Sequence, residues 1–129
     1  MSKKYIHYLD HGTYPFDVIF AYKISITELK KVVLPLILET EGEFDEAFSE
    51  KMDVDGRAVM FKGCQTVIYL KDFKGTVDDY GTLAHECLHA VQFLFNKIGI
   101  DSSEGTEEAW AYQLQHIYIE ILEFLKKKK

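Results

Sequence analysis

Two cysteines, Cys64 and Cys87, are too few among 129 residues to form a disulfide framework. Both read as reduced thiols, which points to a cytoplasmic protein. The N-terminus MSKKYIHYLDHG lacks the apolar core of a signal peptide. No apolar run approaches the ~20 residues that cross a bilayer, so a membrane span is excluded. A basic excess is also missing. Fifteen Lys and Arg stand against 21 Asp and Glu, for a net charge of −6. Phosphate binding needs a basic face, so nucleic acid is not the expected partner. The one lysine run, at residues 126–129, reads as a solvated, frayed tail. No linker, repeat or low-complexity stretch divides the chain, so one domain over 1–129 is expected.

What is present is enough apolar material for a core, 47% of the residues. YPFDVIFAY (14–22) is rich in aromatic and β-branched residues and reads as a strand. Ser25 and Glu28 form an S-x-x-E box that opens a helix over TELKKVVL, which Pro35 should kink or end. Phe44, Ala47 and Phe48 recur at helical spacing in the acidic stretch that follows. RAVMF (57–61) and TVIYL (66–70) read as a β-hairpin around KGCQ. From Thr76 the period changes. TLAHECLHAVQFLFNKI is apolar at Leu83, Cys87, Ala90, Val91 and Leu94, and Gly99 ends the helix. A second long helix starts after Thr106, with an expected apolar stripe of Trp110, Ala111, Leu114, Tyr118, Ile121 and Leu125. Strands followed by helices make the class α+β.

The chemistry centres on HECLH, residues 85–89. On a helix, positions i and i+4 share a face, so His85 and His89 can point at one Zn²⁺. Glu86 lies next to His85, rotated about 100° around the axis. From there it can take a proton from a water without ligating the metal. Cys87 should face away, into the core. His7 and His11 are also four apart but lack the adjacent Glu. DVDG (53–56) reads as a turn rather than a calcium loop.

A catalytic zinc takes three protein ligands and keeps one open position. Glu107 and Glu108 follow His89 by 18 and 19 residues, far enough for a loop and an antiparallel helix. Both acids would also suit a helix N-terminus. Amphipathicity leans toward Glu107 as the inward residue without deciding between them. Tyr80, Tyr112 and His116 are candidates for a donor to a developing oxyanion. His116 could instead accept from the free ring nitrogen of a zinc-bound histidine, as could Asp78, Asp79 or a backbone carbonyl.

HECLH followed after about twenty residues by E-A-W-A-Y resembles the gluzincin arrangement of zinc metallopeptidases. More narrowly, HECLHAVQFLF and EEAWAYQLQHI resemble short, phage-encoded metallopeptidase-like proteins. The resemblance covers residues 76–125. It implies a minimal zincin-like domain, a small antiparallel sheet of about three strands packed on the HExxH helix and a long C-terminal helix. It assigns the third ligand to Glu108, the Glu directly before Ala109, and implies a peptide or protein as substrate. TVIYL is expected to form the sheet edge along which a peptide adds. The chain has no room for the C-terminal helical subdomain of larger gluzincins. A metal-bound domain that only holds a peptide or protein is the alternative, and the sequence does not assign an oligomeric state.

Overall fold

The structure, a computed structural model, describes residues 5–9, 17–37, 40–49, 54–63 and 65–127. His11, Cys64, the first residue of DVDG, the start of YPFDVIFAY and the last two lysines lie outside the described residues. The order is β1 (Ile6–Leu9), β2 (Val18–Tyr22), α1 (Ile26–Val33), a 3₁₀ turn (Leu34–Leu36), α2 (Glu41–Ala47), β3 (Gly56–Met60), β4 (Thr66–Leu70), α3 (Val77–Ile98) and α4 (Glu107–Lys126).

The class is α+β, with a mixed sheet of four strands in the order β1-β2-β4-β3. This corrects the expected antiparallel sheet of about three. β1 pairs antiparallel with β2, and β3 with β4, but β2 and β4 run parallel. VIFAY and TVIYL carry no polar–apolar alternation because both faces are covered. Val18, Phe20, Tyr22, Ile68 and Leu70 face α3 and α4. Ile19, Ala21, Val67 and Tyr69 face α1 and α2. TVIYL is therefore interior, not the expected edge. The edge beside α3 is β3.

The caps follow local chemistry. Ser25 Oγ accepts from the Glu28 N–H, and α1 gives way to the turn that contains Pro35. Thr40 and Glu43 make a reciprocal box at α2, and Thr76 and Asp79 another at α3. Gly99 closes α3 at φ 78°, a left-handed position that suits glycine. Thr106 stands at the N-cap of α4 without capping it. Its hydroxyl instead meets the Asp101 carbonyl, and the Ser103 N–H donates to it at 3.0 Å.

Of the expected stripe on α4, Ile121 and Leu125 are buried and Trp110, Leu114 and Tyr118 pack against the core, while Ala111 departs from it. Gln113, Ile117, Ile121, Phe124 and Leu125 are buried, while Ala111 is exposed. β1 packs against this helix: His7 stacks on Phe124 and meets Glu120 at 2.9 Å. Among the described residues, no helix is long and apolar enough to cross a membrane.

Candidate metal centre

α3 presents its residues to different surroundings. Leu83, Cys87, Ala90, Val91 and Leu94 are fully buried in the core shared with α4. His85 is exposed and His89 half-buried. Glu86 is only 7% exposed, which places a carboxylate-bearing side chain at the boundary between core and solvent. Glycine makes this burial feasible. A Cβ at Gly56, the first residue of β3, would lie 2.8 Å from Leu70 Cδ2, 3.0 Å from Thr82 Cγ2 and 3.2 Å from Glu86 Cγ. Gly56 lets α3 approach the sheet edge closely and seats the Glu86 stem against the strand. The DVDG reading found a turn here and missed that role.

The two imidazoles converge. His85 Nε2 and His89 Nε2 are 3.1 Å apart, with ring centroids at 4.7 Å and planes at 76°. Two nitrogens bound to one tetrahedral ion at about 2.0–2.1 Å stand about 3.3–3.4 Å apart. A small ring rotation covers the difference, so the pair fits zinc. His89 is held further back as well. Its Nδ1 faces Gln92 Oε1 at 3.2 Å, and its ring stacks on Phe93 at 6.1 Å.

The third donor is not gathered with them. Among the described residues, no group of three or more His, Cys, Asp or Glu stands together to hold a metal. Glu107 and Glu108 are both exposed in the first turn of α4. Trp110 meets Phe95 edge-to-face at 5.1 Å, which fixes the register of the helical hairpin. Phe95 is six residues beyond His89, about 9 Å along the axis, and Glu108 precedes Trp110. Glu108 is also nine residues before the buried Ile117, about half a turn round α4 from the buried face.

The other predicted residues serve elsewhere. Tyr80 packs edge-to-face on Phe73 at 5.2 Å. Tyr112 is exposed, and with His116 and Glu120 it lines a hollow on the outside of α4. His116 Nε2 lies 3.7 Å from Glu120 Oε1, and Glu120 Oε2 also meets His7. Asp79 is committed to the cap. Its Oδ2 accepts from the Lys74 N–H at 2.7 Å and the Thr76 N–H at 3.2 Å. Burial pushes its carboxyl up, but these bonds, together with those from the Thr76 hydroxyl and the Gly75 N–H, outweigh it and hold the group below the usual range. Gln92, which the sequence reading did not single out, stands beside the His89 ring at 3.2 Å, where a partner from His116 or the aspartates was expected. Its i+3 spacing from His89 was the available signal.

Cys87 is buried, and burial with the nearby Glu86 charge pushes its thiol up to about 12. A protonated thiol is a poor ligand and a poor nucleophile. A cleft of about 570 Å³ opens beside the start of α3, where Asp55, Asp72, Asp78 and Thr82 face Lys71 and Lys74. Thr82, in its lining, is one turn before Glu86 on α3.

The chain matches no protein-family profile, no curated protein and no solved structure. The gluzincin resemblance therefore rests on HECLH and EAWAY themselves.

Proposed function

We propose that the chain is a zinc-dependent hydrolase of peptide bonds built as a small zincin-like domain. His85 and His89 are two ligands of the metal, Glu108 is the third and Glu86 is the general base. The observation that supports this reading is the 3.1 Å approach of the two Nε2 atoms on the helix that also carries the buried Glu86. Glu108 is assigned on the E-A-x-A-Y pattern alone. When bound, Zn²⁺ supplies a Lewis acid for a carbonyl and brings the pKa of a water toward about 7.

The chain's own residues do the remaining work. His85 and His89 would offer their Nε2 atoms to the metal. Glu86 would take a proton from the attacking water and give it to the amine that departs as the water oxygen replaces nitrogen on the carbonyl carbon. Gly56 keeps the Glu86 stem seated, which limits the orientations that the carboxylate must search. β3 is the terminal strand beside α3, and an extended substrate adds along it through backbone hydrogen bonds.

Glu86→Gln should retain zinc and lose hydrolysis of a mixed peptide library by at least about 100-fold. Cleavage at the wild-type rate by that variant refutes the assignment. In the same preparations Glu108→Ala should weaken zinc binding and Glu107→Ala should leave it unchanged. The opposite order would move the third ligand to Glu107.

A further inference from the structure

We propose that Gln92 is the positioning residue of the histidine pair. It fixes the tautomer of His89 and so keeps the His89 Nε2 lone pair turned toward His85. This rests on the metal reading for its purpose, but not for its geometry.

Gln92 Oε1 is 3.2 Å from His89 Nδ1. An amide oxygen only accepts, so this bond forms in the tautomer that carries the proton on Nδ1. In a neutral imidazole the other nitrogen is then bare. That nitrogen, Nε2, is the atom 3.1 Å from His85 Nε2. In that tautomer it can accept from a protonated His85 Nε2. With a cation present it is already the lone pair that a ligand needs. Free imidazole side chains do not hold this tautomer by themselves, so an external acceptor is required to fix it. Gln92 is well placed for that task. It is three residues on from His89 on the same helix and half-buried, and the Phe93 stack limits how the ring can turn. Its own backbone is locked in the middle of α3, so the acceptor moves with the ligand it orients.

The test uses the full chain and three proteins: wild type, Gln92→Met and Gln92→Glu. Methionine keeps the length and helix propensity without an acceptor. Glutamate keeps the acceptor. Long-range ¹H–¹⁵N correlation spectra of the metal-free proteins at about pH 8.5, well above the ordinary histidine range, report which nitrogen of His89 is protonated. Zinc affinity is read separately by competition with a chromophoric chelator. Wild type and Gln92→Glu should show His89 protonated on Nδ1. Gln92→Met should show protonation moved toward Nε2 and a zinc Kd weakened about 10–100-fold. Gln92→Glu should bind zinc as tightly as wild type or more tightly.

A wild-type His89 protonated on Nε2 overturns the proposal. So does a Gln92→Met variant with an unchanged tautomer. If the tautomer responds as expected and wild type binds no zinc, the positioning of His89 stands and the metal reading fails.

Discussion

Cys87 lies between the two histidines in sequence and faces the core, while they face outward. Its thiol, raised to about 12, should not react with a thiol reagent at pH 8 in the folded protein. In a Cys64→Ser background, the native chain should show no alkylation on the minutes scale and one equivalent after denaturation. Rapid reaction of the native chain would mean that α3 does not bury this face. At this scale His85, Glu86 and His89 were legible in the sequence, because the i, i+1, i+4 spacing fixes their relative directions on any helix. Gln92 was not, because its role depends on the side-chain arrangement around His89 rather than on spacing alone. The exposed position of Glu108 was not settled by the sequence, because it depends on which side of α4 packs on the sheet and α3.

The element on which the site depends is α3, and two devices hold it. At its start, Asp79 is an acceptor whose folded pKa is depressed. Such a group contributes stability in full above its unfolded value of about 3.9, and loses it as pH falls through the lower folded value. Asp79→Asn should therefore be less stable than wild type at pH 7, and the gap should close toward pH 3. Urea melts at the two pH values measure this, and an equal gap at both would contradict the charge's role. Along its length, α3 rests on Gly56. Gly56→Ala sets a methyl 2.8 Å from Leu70 Cδ2 and 3.2 Å from Glu86 Cγ, against an interior without slack. The cost should be roughly 1–3 kcal/mol in denaturant unfolding. An unchanged midpoint would show that α3 moves away freely. The caps at Ser25 and Gly99 could be read from sequence because each is a local bond between near neighbours. β1 could not. Four residues that include His7 and Tyr8 carry too little pattern, and the strand is defined by β2 and α4.

For the whole molecule, the two strands without alternation, VIFAY and TVIYL, hold the centre of the sheet, with α1 and α2 on one face and α3 and α4 on the other. Their parallel pairing was illegible from hairpin signals alone, because it joins segments more than forty residues apart and β3 returns between them. This layering leaves β3 as a terminal strand beside α3. The account depends on whether the histidine pair holds a metal. The most direct measurement is the zinc content of the full chain purified without a metal-affinity tag, compared with His85→Ala shown by circular dichroism to be folded. The account predicts about one zinc per wild-type chain, as a single three-ligand site requires, and loss of that zinc in His85→Ala. A wild-type chain without zinc at micromolar free metal, or equal zinc in the variant, would contradict it.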